Sequence, residues 1–180
     1  MTDDHAEIPR PDDEGICWHE ACHAVASVVL GRKVLFVEID SGEDMDGIPH
    51  HGLTRNPPLN TKKGLKVKQL YVEAQIALAG PLAHAKAFED TSEIDDPGDH
   101  AKASELLRMI LSVPQVQTEW GDESRLPDLL EQCKDRTRQL LEDHWGAVER
   151  VAGELRTHRS LAGARVRQLV KQKRRAPAGP

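Results

Sequence analysis

A mainly α-helical domain with a small β element is what this sequence predicts, an α+β chain dominated by its helices. Three observations lead there. Apolar residues recur at helical spacing in four separate blocks, at 13–30, 62–88, 97–111 and 126–155. One short stretch, 33–40, has the β-branched and aromatic content of a strand. Only 38% of the 180 residues are hydrophobic and aromatics make up 3%, so one core built on Leu, Val, Ala and Ile is the expectation.

Taken in order, residues 1–12 are polar, carry Pro9 and Pro11, and read as a disordered arm. A single domain is then expected over 13–172. Its first helix runs from Asp13 to Leu30, with Asp12, Asp13 and Glu14 as N-terminal cap and charge and Gly31 as its stop. Lys33 to Asp40 is the strand, placed beside that helix. From Ser41 to Thr61 the composition turns to Gly, Pro, Asp and Asn, which predicts a surface loop or irregular hairpin. His50 and His51 fall in it and read as solvated, since adjacent residues of an extended loop point apart. If Leu53 to Arg55 form a strand, its edge is available to an extended peptide.

Lys62 to Phe88 reads as a second helical block. Its small-residue-rich centre, Ile76 to Ala83, allows close approach of another helix, and Pro81 bends or breaks it. An acidic connector, Glu89 to Asp96, leads to a third helix that opens at Pro97-Gly98-Asp99, runs through Leu111 and is stopped by Pro114. Gln115 to Arg125 reads as a polar loop carrying Trp120. Leu126 to Leu155 keeps helical spacing throughout and predicts one long helix. A short helix follows from Ser160, with Ser160 as its cap, and 173–180 reads as a flexible basic tail.

Within the first helix stands His19-Glu20-Ala21-Cys22-His23. Histidines four apart lie about 40° apart on a helical wheel, so both imidazoles leave one face and can hold one metal ion. Zinc accepts such neutral imidazoles and, in catalytic sites, keeps one position for water. Glu20 is turned about 100° from His19, where its carboxylate serves as a general base toward that water. Two imidazoles and a carboxylate in an otherwise apolar helix are costly to bury unless something binds them. Ala26 and Val29 stand where a metzincin has Gly and its third His, so that class is excluded. For the third ligand the residues leave Glu43, suitably spaced but in a loop, and Asp99, which opens a helix after a Pro-Gly break.

From these motifs the chain resembles the peptidase domain of the FtsH family of ATP-dependent zinc metalloproteases. The residues that carry the likeness are His19-Glu20-Ala21-Cys22-His23-Ala24, then Ala79-Gly80-Pro81-Leu82-Ala83-His84, then Asp99 with Ala103-Ser104, over about 14–172. Cys22 stands where the family has Gly, and Pro81 and His84 where it has Arg and Glu. The resemblance implies a helical zincin-type peptidase domain, zinc held by His19, His23 and Asp99, and Glu20 as the catalytic base. Asp95, Asp96 and His100 are the expected partners orienting the ligands. It also implies a protein or peptide substrate in flexible segments. No Gly-x-x-x-x-Gly-Lys-Ser/Thr loop is present. The expectation is therefore the peptidase part standing alone, with an ATPase or unfoldase acting in trans and a homo-oligomer as a further option.

The formal charge of −6 argues against nucleic acid as a partner. No apolar run approaches a membrane span, and the acidic start is unlike a signal peptide. Cys17, Cys22 and Cys133 form no Cys-x-x-Cys pair and suit reduced, packed thiols, so a cytoplasmic protein is expected. Two alternatives share these residues: an interaction module that keeps the fold without turnover, and a regulatory protease that cuts one particular protein.

Overall fold

The computed structural model describes residues 13–40, 42–43, 49–50, 52–59, 66–87 and 97–172. Around one central helix, α1 (Asp13–Val29), the others assemble: α2 (Val67–Ala79), α3 (Pro81–Ala87), α4 (Pro97–Leu111), α5 (Pro114–Trp120), α6 (Leu126–Asp143), α7 (Trp145–His158) and α8 (Gly163–Lys171). The fold is mainly α, with a small antiparallel sheet, as the composition predicts. Helix α1 contacts α2, α3, α6, α7 and α8. Its residues Cys17, Ala21, Cys22, Ala24, Val25 and Ala26 are fully buried, small enough for neighbours to approach on several sides. It ends where expected. Gly31 takes φ +81°, Arg32 N–H bonds Ser27 O at 2.7 Å and Gly31 N–H bonds Val28 O at 3.2 Å, closing the last turn with a left-handed residue that suits Gly.

The three-stranded sheet has the order β4-β1-β5, where β1 is Phe36–Glu38, β4 is Leu53–Arg55 and β5 is Ser160–Ala162. A separate two-residue pair joins β2 (Gly42–Glu43) to β3 (Pro49–His50). Val37 is the register point, opposite Thr54 on one side and Leu161 on the other. Side chains opposite each other share a face. Val37 is fully buried, so Thr54 is turned toward the core and α1 as well.

Several expectations are corrected. The strand expected over 33–40 narrows to Phe36–Glu38, flanked by Leu35, whose N–H donates to Arg55 O and whose carbonyl accepts from Gly163 N–H, and by Ile39, whose N–H donates to Arg159 O. The second helical block starts at Val67, after an extended Lys66, and its break falls at Gly80-Pro81; 62–65 lie outside the described residues. Pro114 stops α4 as expected but also opens α5, so 115–125 is mostly helix rather than loop, with a 3-10 turn at Glu123–Arg125. Ser160 is not a cap; it pairs with Glu38 in β5, and α8 is preceded by Ala162.

The long helix expected over 126–155 is two helices, interrupted at His144 (φ −115°, ψ 13°). The physical reason is packing. An interruption forfeits about two backbone hydrogen bonds, each about 1 kcal/mol net. Beyond the interruption α7 packs on α1, and its Val148, Val151 and Leu155 are all fully buried, each contributing about 1.5–3 kcal/mol. It also stacks Trp145 on Trp18, ring centroids 5.4 Å apart and 2° from parallel, with the Lys86 ammonium over the Trp145 ring.

Candidate metal centre

Three side chains from two helices converge on one point. His19 and His23 project from one face of α1, and Asp99 comes from the first turn of α4. His23 Nε2 lies 3.0 Å from His19 Nε2 and 2.9 Å from Asp99 Oδ2, and His19 Nε2 lies 3.2 Å from the same oxygen. In a tetrahedral shell with metal–donor lengths of about 2.0 Å, donors stand roughly 3.3 Å apart. The three atoms are therefore spaced as donors around one small cation, and the His-His-Asp group could hold a metal ion. Among the described residues it is the group of His, Cys, Asp or Glu that meets that spacing.

The surroundings orient the donors. His23 is buried and its Nδ1–H donates to the Ile76 carbonyl at 2.7 Å, which leaves the Nε2 lone pair facing the cluster in the neutral ring. That carbonyl on α2 is an orienting partner the sequence reading missed. Of the partners expected instead, His100 is half-buried one residue past Asp99, while Asp95 and Asp96 lie outside the described residues.

Without a cation, the carboxylate and a proton share its place. Burial works to lower the His23 pKa. The Asp99 carboxylate, first by its charge and then by its hydrogen bond, outweighs burial with help from Glu20 and the Ile76 carbonyl, and the value is raised to about 9. For Asp99 burial works upward, but the two imidazoles hold its carboxyl well below the usual carboxylate range. The pair is thus arranged for a positive charge at this point, supplied by a proton or by a metal.

The space for that charge is made by Gly80. A β-carbon there would collide with His23 Nε2 and stand 2.5 Å from His19 Nε2. Its backbone is ordinary right-handed helix, φ −62° and ψ −57°, so a glycine is required for room and not for conformation. The sequence showed a small-residue segment there without showing what it faced.

Glu20, also buried, is not among the three clustered donors. Its Oε2 accepts a hydrogen bond from Thr54 Oγ1 at 2.7 Å, and its Oε1 would be 2.9 Å from a β-carbon at Gly52. A carboxylate carried next to the cluster, satisfied at one oxygen by a neutral hydroxyl, is suited to proton transfer. Cys22 is fully buried in the core, and burial pushes its thiol pKa upward, as fits a packing residue. Glu43, the other candidate third ligand, is in β2, and His50 is in β3. His51 lies outside the described residues.

A cavity of about 670 Å³ lies on another face of α2, lined by Tyr71, Gln75, Trp120, Leu129 and Arg136 among others, and neither the three clustered residues nor Glu20 lines it. No helix among the described residues is long and apolar enough to cross a membrane. Neither a family model nor a curated protein matches the chain.

Proposed function

We propose that this chain is a zinc-dependent metalloendopeptidase, similar in its site to the FtsH peptidase domain, that cleaves flexible or unfolded protein segments in the cytoplasm. The observation that carries the reading is the convergence of His19 Nε2, His23 Nε2 and Asp99 Oδ2 within 3.2 Å, with the buried Glu20 carboxylate one residue away. Two imidazoles and one carboxylate are a donor set that suits zinc and leaves a coordination position open. Bound there, the ion would supply the Lewis acid that polarises water and the scissile carbonyl. Glu20 takes the proton of the attacking water and returns it to the departing amine.

The strand β4 supports a peptide substrate. It lies at the edge of the sheet and passes Glu20 at Thr54 and Gly52, so an extended chain added along its outer edge would run beside the base. Folded substrates would first need to be opened by an unfoldase.

Incubation with casein, as a disordered protein, tests the reading. Cleavage is expected with one equivalent of zinc per chain and none after chelation. Stable zinc binding with no cleavage of casein or of a diverse peptide library would contradict it.

The pH dependence of stability should differ between the metal-free and the zinc-loaded chain. A His23 pKa raised above its unfolded value contributes stability that is complete below about 6.5 and lost as pH rises toward about 9. The lowered Asp99 pKa contributes stability present above its ordinary value and lost as pH falls through the acid range below it. Melting temperatures of the metal-free chain should therefore fall between pH 6.5 and 8.5. Zinc must displace the His23 proton, so the increment that zinc adds should grow over the same interval. A zinc increment that shrinks with rising pH would count against His23 as a ligand.

A further inference from the structure

We infer that Thr54 is a positioning residue that fixes the carboxylate of Glu20, an inference that rests on the metallopeptidase reading above. Glu20 is a flexible side chain by nature, and a base that rotates is a poor base. Misplacement by about 1 Å can cost on the order of a hundredfold in rate. Its Oε2 accepts from Thr54 Oγ1 at 2.7 Å, whereas the Glu20 backbone carbonyl lies farther from the same hydroxyl, at 3.1 Å. One hydroxyl carries one proton, so the shorter contact to the carboxylate is the bond it makes.

The strand that carries Thr54 is itself held to α1 at several points. Asn56, two residues on and so on the same strand face, accepts from Ser27 Oγ at 3.4 Å and donates to the Lys33 carbonyl at 2.8 Å. Glu20 and Ser27 are seven apart, hence on one face of the helix. Arg32 reaches the Pro57 carbonyl at 2.7 Å and ion-pairs with Glu73 of α2. Immediately before the strand, Gly52 leaves room for the Glu20 side chain, because a β-carbon there would lie 2.8 Å from Glu20 Cγ. The strand and the residue before it thus offer Glu20 a slot with no side chain at residue 52 and a donor at residue 54.

A purely structural role, stapling β4 to α1, makes different predictions, and the test separates them. Thr54→Val removes the hydroxyl and keeps the shape; Thr54→Ser keeps the hydroxyl. Each zinc-loaded variant is measured for kcat, KM, zinc content and the affinity of acetohydroxamate. This small ligand binds zinc through two oxygens and passes its proton to an adjacent carboxylate, so it reads the Glu20 orientation without turnover.

For Thr54→Val, kcat should fall about 10- to 100-fold with KM within about twofold and one zinc retained, and hydroxamate affinity should fall about tenfold. Thr54→Ser should recover most of both. On a Glu20→Gln background, Thr54→Val should cost nothing further, because the group it positions is gone. Wild-type kcat and hydroxamate affinity in Thr54→Val would overturn the inference while leaving the proposed function standing, and so would an equal further loss on the Glu20→Gln background. A wild-type chain that cleaves no peptide, but whose hydroxamate affinity depends on the Thr54 hydroxyl, would instead overturn the proposed function and support the positioning.

Discussion

Glu20→Gln is expected to lower peptide cleavage by about 10²- to 10⁴-fold while one zinc per chain stays bound. The substitution keeps size and shape in a buried position and keeps an oxygen that Thr54 can donate to. What it removes is the basic lone pair. The three donors that define the metal point are untouched, because they come from His19, His23 and Asp99. Elemental analysis and steady-state kinetics on the same preparation check both halves. Unchanged cleavage would remove Glu20 from the chemistry, and lost zinc would make it a ligand instead of a base.

Gly80→Ala is expected to weaken zinc binding by at least about a hundredfold, more than is typical of losing an outer partner of a ligand. Local conformation argues the other way. Gly80 has right-handed helical angles at the end of α2, where Ala is favoured over Gly by about 1 kcal/mol. Sterics decide the sign, since the added carbon falls on the two imidazole nitrogens and those rings cannot retreat. His23 is held from behind by the Ile76 carbonyl, and both rings stand on a helix buried on several sides. Gly153→Ala is the control. Residue 153 is exposed in α7 with nothing within 4 Å of an added β-carbon, and it should bind zinc as the wild type does, with stability raised by about 0.5–1 kcal/mol. Calorimetric zinc titration of both variants, with circular dichroism to confirm helix content, makes the comparison. Equal affinity in Gly80→Ala and wild type would mean that the cation does not sit between these nitrogens.

The contrast between Gly80 and Glu20 shows what could be read in the sequence. His19, Glu20 and His23 were legible because their geometry is local: a four-residue spacing on a helix fixes where two rings point. Asp99 was legible through its position at a helix start and through the resemblance. Thr54 was not, because its role depends on strand register. Only when Val37 is known to face the core does Thr54, opposite it, face α1. The Ile76 carbonyl was invisible for a simpler reason: backbone groups carry no sequence signal. The interruption at His144 escaped because Leu141 and Val148, both buried, are seven apart across it, so the apolar spacing continues in phase through a helix that does not. β5 escaped because Ser160-Leu161-Ala162 has no β-branched or aromatic residue; its pairing with β1 comes from the tertiary contact.

The most direct test is to locate the metal itself, by anomalous diffraction at the zinc edge from crystals of the chain grown with one equivalent of zinc. A single peak within coordinating distance of His19 Nε2, His23 Nε2 and Asp99 Oδ2, with the Glu20 carboxylate beside it but not bound to it, is what the proposed centre predicts. A peak at any other set of side chains, or none at that stoichiometry, would contradict it.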